Sequence, residues 1–434
     1  MATTSDVKFE PTISRWWRVV GGLLMNLALG SLYAWSMFLP KLKADPDFKS
    51  YAPTQMALTY TIAVVVFALT FVVGGRLQDK KGPTVSSVLG GILVSLGFFL
   101  SGTAHSLTTL YIFFGVLIGL GNGFGYATPI PVMAKWFPDR RGLAVGLAVA
   151  GYGGGSAVFG KLGLNYLIPT YGWRTTFMIL GGIFFVMTMA GAALLKNPPV
   201  GYKPAGWTPP PATAKAAATT YEFTPTETLR TPTFYFMWIA YALGCSAGQM
   251  VISQLVPFIN SSLKGTGMDP KIIAGYAGTA FIVGATGNAL GRILSGAMSD
   301  VMGRINVLRL MIAISAVAMP VLFLVGGSVA LLFVLMFVVY WCYGTQLSVN
   351  GSAASDFWGT KNAGLNYGML FTAWGVSGVI GPMVGAKLLQ TSGGYKTPFY
   401  TAAVLAVIAL VAELLAKRPA APEAESRAAA VTAR

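Results

Sequence analysis

Arg292 stands in 288-NALGRILSGAMSD-300, inside a stretch that otherwise has the composition of buried apolar helix. Upstream, 271-KIIAGYAGTAFIVGATG-287 carries no charge after Lys271. A cation at bilayer depth costs roughly 3 kcal/mol or more, so its chemistry has to justify its place. A guanidinium offers a planar fork that matches a carboxylate through two parallel hydrogen bonds. Asn288 lies one helical turn above Arg292, with Ser295 and Ser299 below on nearly the same face, and this polar stripe should look into a water-filled cavity. Gly284, Gly287 and Gly291 keep the neighbouring surface thin enough for close helix packing. With Asp300 taken as the helix end, Arg292 lies about 12 Å inside, near the midplane of a core about 30 Å thick. No Asp or Glu falls in the middle of an apolar stretch: Glu413 is near the end of the last one, and Asp79, Asp139, Asp300 and Asp356 fall in loops on one side. The sequence thus supplies no internal counter-ion, and a carboxylate substrate is expected to be one.

The elements that hold such a residue are membrane helices. The chain has 434 residues, 54% hydrophobic and only 10% charged, against about 25% charged in ordinary soluble domains. Apolar stretches of membrane-crossing length predict an all-α membrane protein with twelve spans, at about 16–39, 54–77, 84–103, 107–135, 142–165, 173–195, 233–261, 271–299, 305–326, 328–350, 364–390 and 396–416. The polar start 1-MATTSDVKFEPT-12 lacks a signal-peptide layout, so the first span should stay uncleaved.

The net charge of +16 invites a nucleic-acid partner, but its distribution argues against one. With both termini cytoplasmic, about 20 of the 30 Lys and Arg fall inside and about 9 outside, so the charge reports topology. Cys245 and Cys342 both fall in predicted helices and imply neither a disulfide framework nor a metal set. His105, in the short outer loop 101-SGTAHSLTT-109, reads as a solvated loop residue. Trp16, Trp17 and Tyr111 fall near helix ends, where aromatic belts sit. No cofactor is implied.

The chain divides in two. Residues 197–232, rich in Pro, Ala and Thr, read as a cytoplasmic linker between an N-terminal six-helix bundle (1–196) and a C-terminal one (233–416), and 417–434 as a disordered tail. The halves repeat: 75-GRLQDKKG-82 and 296-GAMSDVMGR-304 share G-x-x-x-D-x-x-G at an offset of 221 residues, and 142-GLAVG-146 matches 364-GLNYG-368 at 222. Parallel six-helix repeats point to a transporter with its site between the halves near the midplane.

The loop signature resembles that of the major facilitator superfamily. The stretches 135-KWFPDRRGLAVG-146 and 30-GSLYAWSMFLP-40 further resemble its oxalate/formate antiporter branch, which is close to the monocarboxylate transporters. The resemblance implies an inner gate formed by Gly75, Asp79, Gly82, Gly296, Asp300, Gly303 and Arg304, in which each Asp caps a helix start and pairs with a neighbouring Arg. It also implies substrate contacts from Tyr126 and Tyr343, with Leu32, Tyr33 and Phe371 as an apolar wall. Two departures bear on substrate. Oxalate transporters of the branch place a lysine where 367-YGMLFTAWG-375 puts Trp374, and a single cation suits a monoanion better than a dianion. Animal monocarboxylate transporters carry an Asp where this chain has Asn288, so a carboxylate relay at that position is missing.

The expected function is alternating-access transport of lactate- or pyruvate-like monocarboxylates by a monomer in the cell (inner) membrane. A proton should travel with the substrate or through water, since arginine keeps its own. Oxalate/formate exchange is the alternative. A proton-driven drug exporter would call for a carboxylate in helix 1, 4 or 7, and a membrane enzyme for a nucleophile–base pair; neither is visible in the sequence.

Overall fold

The computed structural model describes residues 14–208, 221–264, 266–325 and 327–420; the first residues, the middle of the linker and most of the tail lie outside this set. All of its regular elements are helical. The helix α1 (Trp16–Leu29) passes through a 3-10 turn at Gly30–Ala34 into α2 (Trp35–Ala44), followed by α3 (Pro53–Lys81) and α4 (Pro83–Ser101). Next, α5 (Leu107–Leu110) runs through a π-helical stretch, Tyr111–Leu117, into α6 (Ile118–Tyr126), and α7 (Pro129–Trp136) follows. Then α8 (Arg141–Leu162) continues through a second π-helical stretch, Gly163–Leu167, into α9 (Ile168–Leu194). After the linker come α10 (Pro225–Arg230), α11 (Pro232–Ser253), α12 (Leu255–Lys264), α13 (Pro270–Met302), α14 (Arg304–Leu324), α15 (Val329–Trp358), α16 (Ala363–Ser392) and α17 (Lys396–Leu415).

Among the described residues nine helical runs are long and apolar enough to cross a membrane, ten if the bent pair Trp16–Tyr33 and Phe38–Ala44 is one span. The run Arg141–Leu194 is counted once although it is 54 residues long. Gly172 turns the chain there, at φ +77° in the left-handed region that glycine tolerates. Several expected spans are interrupted. The first turns 3-10 from Gly30, whose hydrogen-only face lies against the backbone of Tyr152, and bends by 42° between Tyr33 and Phe38; the fourth passes through a turn at Ala127–Thr128 before Pro129. The seventh breaks at Gln254. The linker holds one unexpected helix: Thr224 and Glu227 cap α10 reciprocally, the capping-box pattern readable in 224-TPTE-227.

Packing across the molecule relies on glycine. α13 runs between α15 and α8, and α16 between α3 and α11. A side chain at Gly75 would strike the backbone of Gly364; one at Gly296 would strike that of Gly142; one at Gly146 would strike the carbonyl of Arg292. The two repeated motifs are therefore partners, the first motif of each half packing on the second motif of the other. The aspartates complete the pairing. Asp79 accepts hydrogen bonds from the N–H groups of Gly364 (3.1 Å) and Leu365 (2.8 Å) at the start of α16. Asp300 accepts from those of Gly142 (2.7 Å) and Leu143 (2.9 Å) at the start of α8. The closing glycines, Gly82 and Gly303, both turn at φ +88°.

The expected arginine partner appears in only one copy. Arg304 donates to Asp300 (2.6 Å) and to Asp356 (2.8 Å), and Arg141 pairs with the same Asp356. Asp79 forms no ion pair among the described residues and feels Lys135 only at longer range. The reason is local: four residues beyond Asp300 stands Arg304, but four residues beyond Asp79 stands Pro83, which has no charge to offer.

Candidate functional site

Arg292 is fully buried in α13. Its Nε donates to Asn288 Oδ1 at 2.9 Å, the i−4 neighbour on the same helix. Its Nη1 donates to the Tyr126 hydroxyl at 3.0 Å and to the Val149 carbonyl at 3.2 Å. The guanidinium also lies 5.7 Å from the centre of the Tyr152 ring, in range for a cation–π contact. Its Nη2, equally buried, finds no acceptor, and no carboxylate pairs with the group among the described residues. These contacts fix the position of the cation without neutralising it. That is unusual for a buried charge, which ordinarily finds a counter-ion.

Glycines bring the neighbouring helices to it. Gly153 of α8 and Gly344 of α15 both face Asn288, and Gly146 faces the Arg292 carbonyl, so α13 is held closely from two sides. On the far side of the cluster, the Trp374 indole Nε1 donates to the Tyr343 hydroxyl at 2.8 Å, and that hydroxyl lies 3.5 Å from the hydroxyl of Tyr33. Phe371 stacks on Trp374 with ring centres 5.0 Å apart and contacts the Tyr126 ring at 5.5 Å. Arg292, Asn288 and Tyr126 thus form one hydrogen-bonded group, Tyr33, Tyr343 and Trp374 a second, and Phe371 touches both. Leu32 is buried in the surrounding apolar core, in the 3-10 turn that carries Tyr33. Trp374 occupies its place as a hydrogen-bond donor without charge.

Two contacts of the guanidinium escape a reading of the sequence alone. Tyr152 supplies the ring beneath the guanidinium and donates its hydroxyl to Asn122 Oδ1 at 3.0 Å, and Val149 supplies a carbonyl. The available signal was the run 151-GYGGGS-156, a tyrosine among glycines on the helix that packs against α13. In the loop between α4 and α5, His105 is exposed but not alone: its Nδ1 lies 2.8 Å from Asp47 Oδ2, which Arg174 also reaches at 2.7 Å.

The family model described as Major Facilitator Superfamily matches residues 23–287 and 267–433. The chain is 30% identical over 367 residues to the uncharacterized MFS-type transporter YhjX of Escherichia coli (strain K12), covering 84% of this chain and 86% of that protein. It is 28% identical over 398 residues to the oxalate:formate antiporter of Oxalobacter formigenes, covering 91% and 90%. It is 26% identical over 400 residues to monocarboxylate transporter 13 of Rattus norvegicus, covering 91% and 87%. Among solved structures, the major facilitator transporter FucP in the outward conformation superposes with a TM-score of 0.67 at 15% identity, covering 93% of this chain and 99% of that one. That likeness speaks to the fold alone.

Proposed function

The chain belongs to the major facilitator superfamily of membrane transporters, and on that premise we propose that it moves small monocarboxylates by alternating access with Arg292 as their anchor. The observation that carries the reading is the uncompensated guanidinium: buried, fixed through Nε and Nη1, with Nη2 left over. A substrate carboxylate would bond to the free side of the fork, assisted by the Tyr126 hydroxyl, and neutralise the site. The neutral complex then permits the two halves (1–196 and 233–416) to rock about the ligand. The Tyr33–Tyr343–Trp374 group can bond to a second polar atom of the cargo. Twelve spans, cytoplasmic termini, an inner-membrane location and a monomeric working unit complete the proposal.

Because arginine does not release its proton, a coupled proton would ride on the substrate carboxyl, weakening its grip on Arg292 at release. Labelled lactate uptake into proteoliposomes, with and without an inward proton gradient, tests this coupling. Arg292→Lys should cut uptake at least tenfold, because the bidentate fork is lost; wild-type uptake and affinity in Arg292→Lys and Arg292→Ala together would refute the anchor. Exchange of oxalate for formate is the second reading, favoured by the similarity to the Oxalobacter formigenes antiporter. Against it stands the uncharged Trp374, since a dianion would bring one more negative charge than Arg292 can balance. A thermal-shift series separates the two: stabilisation by lactate or pyruvate without oxalate favours the first, and stabilisation by oxalate and formate without lactate or pyruvate the second.

A further inference from the structure

On the face that carries Asp79 and Asp300, a cavity of about 320 Å³ opens beside the second gate copy, where the start of α14 meets the ends of α15 and α17. Its size lies within the range of small-molecule sites. Its lining holds Arg304, Arg309, Lys417 and Arg418 against two carboxylates, Asp300 and Asp356. Both carboxylates are engaged by Arg304, and Asp356 also by Arg141, and among the described lining residues the cationic side chains outnumber the carboxylates. The wall is rigid. Arg309 donates to the carbonyls of Glu413 (3.1 Å), Leu414 (3.2 Å) and Ala416 (3.3 Å), which fixes the end of α17 at the cavity edge. Around it the helices expose apolar side chains to the membrane: Val301 and Met302 at the end of α13, Leu310 on α14, and Leu414 and Leu415 on α17.

A cationic cavity bordered by lipid-facing apolar side chains, at the level where the helices end, fits an amphipathic anion. We propose that this cavity binds the phosphate headgroup of an anionic phospholipid, with its acyl chains lying along the exposed faces of α13, α14 and α17. Arginine and lysine bind phosphate oxygens through charge-assisted hydrogen bonds, and basic clusters at a membrane edge attract anionic lipid. The site is independent of what the central site carries. It touches Asp300, Arg304 and Asp356, so a bound lipid would bear directly on the second copy of the motif.

The test is a melting-temperature series on the purified full-length protein in detergent. Short-chain phosphatidylglycerol should raise the melting temperature by about 2 °C or more, while phosphatidylcholine of the same chain length and inorganic phosphate at the same concentration should not. The Lys417→Gln/Arg418→Gln double variant should lose at least half of that rise, and Lys41→Gln/Lys43→Gln, at the end of α2, should keep it. If the double variant melts well below wild type before any addition, Lys417→Gln alone is measured against the same criterion. An unchanged rise in the Lys417 variants, or an equal rise with phosphatidylcholine, overturns the site. An equal rise with inorganic phosphate overturns the lipid assignment in favour of a free-anion site.

Discussion

The two copies of the repeated motif share a backbone and differ in charge. In each, the first glycine lets a helix of one repeat touch a helix of the other, an aspartate accepts two amide hydrogen bonds from the start of that helix, and the closing glycine turns at φ +88°. Around Asp300 a largely, though not fully, buried ion network is added, linking Arg304, Asp356 and Arg141. Around Asp79 none is formed among the described residues. The repeat register explains the gap. Trp136 and Trp358 correspond at an offset of 222 residues, and at that offset Asp356 matches Ala134 and Arg141 matches Ala363, while Arg304 matches Pro83 at 221. The motif therefore specifies geometry, and residues outside it decide how firmly each side is locked. We propose that the α8–α13 side is the stronger lock of an inner gate, and that the α3–α16 side parts first when it opens.

The largest effect should come from removing the strong lock. Asp300→Ala strips two amide bonds and takes from Arg304 one of its two carboxylates, leaving Asp356 to balance both Arg304 and Arg141, a loss of about 3–5 kcal/mol if it behaves like a broken buried pair. Asp79→Ala removes a helix cap alone, about 0.5–2 kcal/mol. Thermal unfolding in detergent gives the order. Spin-label distances between positions 140 and 302, and between 80 and 361, show which side opens. Equal losses in the two variants would mean that the network around Asp300 adds nothing.

The shared geometry predicts a smaller and symmetrical effect. Gly75→Ala and Gly296→Ala each push a methyl group into the opposing backbone, and overpacking of this kind costs about 1–3 kcal/mol. Both variants should widen their own side of the gate by similar amounts in the same spin-label measurement. A large difference between them would show that the copies differ in backbone as well as in charge.

What could be read in advance follows the same division. Helical spacing alone places Asn288 on the face of Arg292, because i and i−4 are neighbours whatever surrounds the helix, and the hydrogen bond is present. Tyr126 was reached through the family resemblance, and it bonds to Arg292 across helices. Tyr152 and the Val149 carbonyl could not be reached by either route, since they depend on the register of α8 against α13, which the glycines at 146 and 153 hint at without fixing. The repeated motifs were visible as repeats, but that they touch each other was not: an offset of 221 or 222 residues says that two segments are alike and leaves open which one each will meet. The breaks at Gly30 and Gln254 were missed because apolar composition continues through them. Hydropathy reports what faces lipid and is silent on where the helix axis bends.

The smallest expected effect comes from an ion pair that does not cross between the halves. Arg15, before α1, holds Asp139, in the turn between α7 and α8, through two hydrogen bonds of 2.6 and 2.7 Å. Burial alone would raise the Asp139 carboxyl, but the Arg15 guanidinium outweighs it and holds the group below the ordinary carboxylate range. A carboxylate whose folded value is depressed contributes stability at pH values above the unfolded value, about 3.9, and loses it as pH falls through the folded one. Asp139→Asn should therefore cost about 1 kcal/mol or less at pH 7, and its melting curve should converge on that of wild type as the pH drops below about 4. Because both partners belong to the proposed N-terminal half, the spin-label distances across either side of the gate should stay at wild-type values. A widened gate in Asp139→Asn would remove the distinction between contacts that lock the halves together and contacts that only stabilise one of them.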